Sequence, residues 1–335
     1  MRILAFESSC DETAAAVVGY EAGRFSVLSN VVASQIDIHA KFGGVVPEIA
    51  SRAHCEAISG LAREALERGG LSVKEVDAVA VTNRPGLIGA LLVGVNFAKA
   101  LAFSWEKPLV AVNHIAGHIA ANYLTHPELV PPFLAFVASG GHTSIIRVEG
   151  YRAHTVIGGT RDDAMGESFD KVARVMGMPY PGGAALDKLA YEGKCPVSFP
   201  SAAIHDDTLD LSFSGLKTAV LNYINAEKQK GNPPACADIA AGFVQSAVQG
   251  VIHKLAMAFD RNPDLRVLTL AGGVAANSHL RAALTNFSVE RGISLYMPEL
   301  PYCGDNAAMI GAAACFEFEA GNFSDESLNA YAFSM

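Results

Sequence analysis

Leu4-Ala-Phe-Glu-Ser-Ser-Cys-Asp-Glu-Thr13 and Leu134-Ala-Phe-Val-Ala-Ser-Gly-Gly-His-Thr143 are the two stretches that decide the fold. They lie 130 positions apart, and Leu, Ala, Phe, Ser and Thr coincide without a gap. Each reads as a buried strand running into a polar turn. After the first copy, Ala14 to Gly19 and Phe25 to Ala33 read as two more strands of a meander. After the second, Ser144 to Val148 and Arg152 to Ile157 do the same. Val267-Leu-Thr-Leu-Ala-Gly-Gly-Val274 then echoes Val79-Ala-Val-Thr-Asn-Arg-Pro-Gly86 as strand, glycine turn and helix. The same order of elements after each match favours duplication over chance similarity of two apolar strands. The expected fold is α/β: two similar domains with a cleft between them.

Working outward, His54 to Arg68 has apolar residues at helical spacing and ends at Gly69-Gly70. Asp77 to Thr82 and Leu109 to Val112 read as strands, Leu87 to Phe103 as a helix rich in small residues, and another helix starts near His114. Ser294 to Met297 reads as a strand, and Cys303-Gly-Asp-Asn306 begins the last helix. Lys228 to Pro234 reads as a polar, loop-like insert.

A length of 335 residues suits two domains, and 50% hydrophobic with 18% charged residues excludes disorder. The mean hydropathy of +0.25 raises the question of a membrane. The longest apolar run, Gly86 to Ala98, contains Asn96 and stops at Lys99. That is short of the roughly 20 residues a spanning helix needs. Glu7, Asp11 and Glu12 stand where a signal peptide needs apolar residues. The chain is therefore expected to be soluble and cytoplasmic, with no membrane partner. Its net charge of −9, taken alone, argues against a dedicated nucleic-acid binder. Six cysteines without a CxxC pair read as reduced thiols.

Several turns and clusters could carry chemistry. Ser139-Gly140-Gly141 lies between two strands, where it is either a plain hairpin or a cradle of backbone N–H groups for an anion. Gly272-Gly273-Val-Ala-Ala-Asn277 lies between a strand and a helix; it is either an ordinary βα turn or a nucleotide site at a helix N-terminus. Neither GxGxxG nor GxxxxGK[ST] occurs. His114 and His118 stand at i and i+4, so on a helix they share a face and could reach one metal, or they are unrelated. Asp305 is the best third ligand, with a helix N-cap as its other reading. Two histidines and one carboxylate leave open positions on Fe²⁺ or Zn²⁺. Asp170 and Asp187 lie in or beside helix starts and either cap them or hold ligand hydroxyls. His39 and His54 flank Gly43-Gly-Val-Val-Pro-Glu48 and read first as surface histidines, which spacing alone does not overturn; no sequence feature identifies a general base, for which His39, His54 and Glu12 are the guesses.

The chain resembles the TsaD family, the universal tRNA threonylcarbamoyladenosine transferases once described as O-sialoglycoprotein endopeptidases. The resemblance covers essentially the whole chain. It runs through Glu7-Ser-Ser-Cys-Asp-Glu-Thr13, Gly43-Gly-Val-Val-Pro-Glu-Ile-Ala-Ser-Arg-Ala-His54 and Pro85-Gly-Leu-Ile-Gly-Ala-Leu-Leu-Val-Gly94. It continues through Asn113-His-Ile-Ala-Gly-His118, Ser139-Gly-Gly-His-Thr143 and Gly166-Glu-Ser-Phe-Asp-Lys171. Ser212-Phe-Ser-Gly-Leu-Lys-Thr218, Gly272-Gly-Val-Ala-Ala-Asn277 and Asp305-Asn-Ala-Ala-Met309 complete it.

The resemblance implies the duplicated actin-like/Hsp70/sugar-kinase (ASKHA, ribonuclease H-like) two-lobed fold with a central cleft. One lobe would comprise residues 1–128 plus about 306–335, the other 129–305. It also implies an acyltransferase that moves the L-threonylcarbamoyl group from L-threonylcarbamoyl-AMP to tRNA, releasing AMP. The acceptor would be the exocyclic amine of the adenosine 3′-adjacent to the anticodon, in tRNAs reading codons that begin with A. The implied metal ligands are His114, His118 and Asp305, holding one divalent ion per chain, Fe²⁺ with Zn²⁺ as the alternative. The implied substrate contacts are Val137, Ala138, Ser139, Gly140, Gly141, Asp170, Gly183, Asp187 and Asn277. The implied protein partners are an inactive paralogous subunit (TsaB-like) and a small P-loop ATPase (TsaE-like). The chain departs from the family at Asn83-Arg84, usually a small residue and Gly, and at Gly304, usually Thr.

Three other classes compete. An ATP-dependent sugar or acid kinase of the same fold would leave the histidine pair without a purpose. A metalloprotease would need Glu where Ile115 stands. An inactive scaffold subunit would have lost the metal histidines, which this chain keeps.

Overall fold

A computed structural model describes residues 1–232 and 235–333. The chain divides into two compact units: Met1–Val130 with Gly150–Ala153 and Pro298–Met335, and Pro131–Glu149 with His154–Met297.

The first unit opens with three strands, β1 (Arg2–Glu7), β2 (Glu12–Glu21) and β3 (Arg24–Ser34). A short helix α1 (Ile36–Ala40) and the long α2 (Pro47–Gly69) follow. Then come β4 (Ala78–Arg84), α3 (Ile88–Ser104), β5 (Leu109–Asn113) and α4 (His114–Thr125). The sheet order is β3-β2-β1-β4-β5; β1 pairs antiparallel with β2 and parallel with β4, and β4 pairs parallel with β5.

The second unit opens with β6 (Phe133–Ala138), β7 (Thr143–Gly150) and β8 (Ala153–Gly159). Four helices follow: α5 (Met165–Val175), α6 (Gly183–Ala190), α7 (Ser214–Gln229) and α8 (Cys236–Arg261). The unit closes with β9 (Val267–Ala271), α9 (Ser278–Arg291) and β10 (Ser294–Tyr296). Its sheet order, β10-β9-β6-β7-β8, is the first sheet's order strand for strand, with the same antiparallel and parallel pairings around β6. The repeat in the sequence is thus a repeat of topology. The last helix, α10 (Ala307–Glu319), belongs to the first unit.

The first sheet is covered on both faces, which is why β1 is apolar at successive positions. The alternation of side chains sends Leu4 and Phe6 into a core with Ile58, Leu61, Ala65, Leu91, Val95 and Ala98 of α2 and α3. Ala5 faces the other way, toward α10: a Cβ on Gly311 would come within 3.5 Å of the Ala5 Cβ and 2.5 Å of Val18 Cγ2. α4 and α10 also approach closely, because Gly117 leaves room that a Cβ would contest with Ile310 at 2.6 Å. Among the described residues, no helix is long and apolar enough to cross a membrane.

Three local readings change. α2 starts at Pro47, not His54: proline suits the first helical turn, and its first residues are largely outward-facing, so apolar spacing does not betray them. α8 spans 26 residues that the sequence reading left unassigned, because small and apolar residues surround it and blur the helical period. The polar insert at Lys228 to Pro234 begins inside the end of α7, and Pro233 and Pro234 lie outside the described residues. The departure at Asn83 has a partner near the C-terminus: Asn83 Nδ2 donates to the Asn329 carbonyl at 3.3 Å, and its own carbonyl accepts Tyr331 N–H at 2.9 Å.

Gly272 ends β9 with φ +91°, and a Cβ there would lie 2.3 Å from the Ala138 carbonyl oxygen. A Cβ on neighbouring Gly273 meets open space. Gly272→Ala should therefore destabilise the protein by roughly 2 kcal/mol or more through backbone strain and overpacking, and Gly273→Ala by much less. Urea denaturation of the two variants checks this, and equal midpoints would contradict it.

Candidate active site

Parallel strands gather functional groups at their carboxyl edge, where the chain turns away and leaves backbone and side chains exposed to a ligand. In the first unit that edge is made by the ends of β1, β4 and β5. β5 runs straight into α4 because Asn113 caps the helix, its Oδ1 accepting Ile115 N–H at 2.8 Å and Ala116 N–H at 3.3 Å. That places His114 in the first turn and His118 one turn on, their rings 4.5 Å apart. Asp305 stands just before α10. The cap of α10 is its neighbour Asn306, whose Oδ1 accepts Met309 N–H at 3.0 Å, so capping does not explain Asp305. Its Oδ1 lies 3.2 Å from His118 Nε2 and 3.5 Å from His114 Nε2. Asn306 Nδ2 also donates to the Gly304 carbonyl at 2.9 Å, which ties down the turn that lacks the usual threonine.

His114, His118 and Asp305 each offer an atom to one point, all three within 4.8 Å of one another. Nδ1 of His118 is buried without a hydrogen-bond partner, and Nε2 faces Asp305. A buried imidazole in that condition carries a desolvation cost that a bound cation would offset. The donor set of two imidazoles and a carboxylate suits Fe²⁺ or Zn²⁺.

Behind His114 lies a carboxylate that sequence reasoning missed. Glu7, the last residue of β1, is fully buried. Its Oε2 accepts the Thr82 hydroxyl at 2.6 Å and lies 3.0 Å from His114 Nδ1. Burial pushes the Glu7 carboxyl up, but the charge and hydrogen bond of His114 outweigh it and hold it below the ordinary range. Burial likewise opposes charge on His114, and Asp305 and Glu7 outweigh that, lifting it to about 9. His118 is pushed down by burial and by His114. An acidic residue closing an otherwise apolar strand was the signal available in the sequence.

The three candidate bases are placed otherwise. His54 is buried; its Nε2 donates to the Cys10 carbonyl at 3.0 Å and its Nδ1 accepts the Thr13 hydroxyl at 2.7 Å. His39 is buried too, with Nδ1 accepting Val46 N–H at 3.3 Å and Nε2 at 3.1 Å from Gln35 Oε1. Both rings pin the segment after β3 to its neighbours, and neither has a ring nitrogen left for a substrate. Glu12 is pushed up to about 9 by burial and by the charges of Asp305 and Asp11.

In the second unit the carboxyl ends of β6 and β9 carry the turns. Ser139 N–H donates to the His142 carbonyl at 2.8 Å, and Ser139 Oγ accepts His142 N–H at 3.1 Å, which shapes the turn through Gly140 and Gly141. The α5 N-terminus abuts it: Gly166 N–H donates to the Ser139 carbonyl at 3.1 Å. Val137 and Ala138 are the buried end of β6. Asp170 and Asp187 both take helix N-termini. Asp170 Oδ1 accepts Gly182 and Gly183 N–H at 2.8 and 3.0 Å, and Asp187 Oδ2 accepts Ser278 N–H at 2.9 Å. Asn277 caps α9, accepting Leu280 N–H at 2.8 Å. The carboxylates thus link α5 to α6 and α6 to α9 beside the glycine turns. The result is a polar, glycine-lined edge suited to a phosphate and its nucleoside.

Duplicated five-stranded units of this order, each with its polar turns at the carboxyl edge, define an ASKHA-type α/β protein. Solved structures agree on the fold. T. kodakarensis HypF matches with a TM-score of 0.65 at 15% identity, over 98% of this chain and 49% of that one. Component A of the Acidaminococcus fermentans (R)-2-hydroxyglutaryl-CoA dehydratase matches at 0.57 and 15%, over 96% and 98%. A profile of the family described as TsaD, tRNA N6-adenosine threonylcarbamoyltransferase, matches residues 26–312. Proteins of that name from Clostridium perfringens and Clostridium beijerinckii are 55% and 53% identical over 329 residues, covering 98% of this chain and 96% of each. The chain belongs to the tRNA N6-adenosine threonylcarbamoyltransferase family, and it is a transferase.

The raised pKa of Glu12 has a pH signature. The folded chain holds a proton that the unfolded chain loses above about pH 4.5, so this contribution to stability is full below that pH and fades as pH rises toward 9. In chelator-treated protein, Glu12→Gln removes the linkage. The variant should gain on the parent as pH rises, by up to about 1.4 kcal/mol per pH unit. Denaturation midpoints at pH 5, 6.5 and 8 read this out; a constant difference would contradict it.

Proposed function

We propose that the chain transfers the L-threonylcarbamoyl group of L-threonylcarbamoyl-AMP to the exocyclic amine of the adenosine 3′-adjacent to the anticodon. The acceptors are tRNAs reading codons that begin with A. The amine nitrogen attacks the carbamoyl carbon, the C–O bond to phosphate breaks, AMP leaves with the electron pair, and the amine proton passes to solvent. The observation that carries this reading is the grouping of His114, His118 and Asp305 in a chain of this family.

Each unit has its task. In the second, the backbone N–H groups of Gly140 and Gly141, with the Ser139 hydroxyl, would offset charge on the phosphate, with Asn277, Asp170, Gly183 and Asp187 shaping the nucleoside seat. In the first, His114, His118 and Asp305 would hold one divalent ion, Fe²⁺ or Zn²⁺. Bound there, such an ion supplies Lewis acidity toward the carbamoyl carbonyl. Asp305 stands just before the start of α10, which approaches α4 closely at Gly117, and this favours a preorganised triad. The partners of the reaction would be tRNA, a paralogous TsaB-like subunit and a small TsaE-like P-loop ATPase. With a net charge of −9, much of the basic surface for tRNA would be local or come from those partners.

The test is incubation with synthetic threonylcarbamoyl-AMP and unmodified tRNA, with and without the two partner proteins. Modified adenosine should form with the full set. His114→Ala should lower transfer by roughly 100-fold or more with folding and tRNA binding intact. Absence of product with the full set, or normal turnover by the variant, would reject the assignment.

A further inference from the structure

Glu7 is a buried carboxylate without a permanent cation. It is the last residue of β1 and 0% exposed, and no lysine or arginine pairs with it among the described residues. Burying an ionised carboxylate carries a large cost unless a cation and hydrogen bonds compensate. The hydrogen bonds are present: Oε1 accepts Ser9 N–H at 2.5 Å, and Oε2 accepts the Thr82 hydroxyl at 2.6 Å. Two donors already serve the carboxylate, and its remaining contact is His114 Nδ1, 3.0 Å from Oε2.

An ionised carboxylate only accepts, so the His114 nitrogen facing it must carry the hydrogen. The Ser9 hydroxyl, 3.2 Å from the same nitrogen, closes off that side of the ring. Nε2, on the side of Asp305 Oδ1 at 3.5 Å, is then the nitrogen that would give up its hydrogen and offer its lone pair to an ion. His118 has no counterpart: its Nδ1 is buried without a partner, so no carboxylate fixes its tautomer from behind. With an ion bound both imidazoles would be neutral, and Glu7 and Asp305 would each set a negative charge beside it.

We infer that Glu7 is a positioning residue of the proposed metal centre: it fixes the Nδ1–H tautomer of His114, so that Nε2 is committed to the ion, and it balances half of the ion's charge. This rests on the metal reading above, and it says which protein group makes one histidine the stronger ligand. Thr82 and Ser9 serve the same end by anchoring the carboxylate. The support passes from β1 and β4 to the start of α4, so the ion would be held through the sheet and not by the helix pair alone.

The experiment is a chelator-competition titration with Zn²⁺ as the probe, on the full chain and its Glu7→Gln variant. Glutamine keeps the size but presents an amide and no charge to His114. Zn²⁺ affinity should fall about 10–100-fold with stoichiometry unchanged. Equal affinities would overturn the inference and leave the metal reading standing. No Zn²⁺ binding by the parent chain would overturn both. Because Glu7→Gln can also impair folding, ¹⁵N-histidine NMR of the Zn²⁺-loaded parent chain gives a second reading. His114 should show a hydrogen-bearing Nδ1 and a metal-bound Nε2, and the opposite tautomer would overturn the inference.

Discussion

Parallel pairing of β1 with β4 and of β4 with β5 is the constraint on which the first unit's chemistry depends. Phe6 stands opposite Val81 and Thr82 opposite Val112, so the three strands end together. That shared edge sets Glu7, Thr82 and His114 side by side although the sequence separates them by 75 and 107 positions. A one-residue slip in β1 would turn Glu7 toward the other face and bring a different residue to His114. The apolar faces on both sides resist such a slip. Leu4 and Phe6 would leave a core with α2 and α3, and Ala5 would be replaced by a larger side chain under α10.

The same edge recurs in the second unit with different side chains. There β6 ends in Val137 and Ala138 and leads into a Ser-Gly-Gly turn, where β1 ends in Glu7 and leads into Ser8 and Ser9. A duplicated scaffold thus gives one edge acidic and imidazole groups and the other backbone N–H groups and glycines. The first set suits a cation and the second an anion. Asp170 and Asp187 sharpen the second set, because each carboxylate draws two N–H groups at the start of another helix, α6 and α9 respectively, into line.

Much of this was legible from the sequence. The repeat of Leu4-Ala-Phe in Leu134-Ala-Phe announced two copies, because a buried strand ending in a polar turn leaves a strong pattern. The i, i+4 spacing of His114 and His118 announced a shared face. Asp305 could be proposed but not separated from an N-cap until Asn306 was seen to hold that place. Glu7 went unread because its partners come from two other strands, and register is a tertiary property. The surroundings of His39 and His54 were hidden for the same reason: their bonds to Val46, Gln35, Cys10 and Thr13 are ones that spacing cannot reveal. α8 was missed because a helix buried on most sides has little periodicity to read.

The most direct test of a His-His-Asp metal centre is X-ray absorption spectroscopy of the Zn²⁺-loaded protein. Two imidazole nitrogens at about 2.0–2.1 Å and at least one oxygen should form the first shell, with one imidazole lost in His118→Ala. A sulfur shell, or a shell without imidazole scattering, would contradict the centre built here from His114, His118 and Asp305.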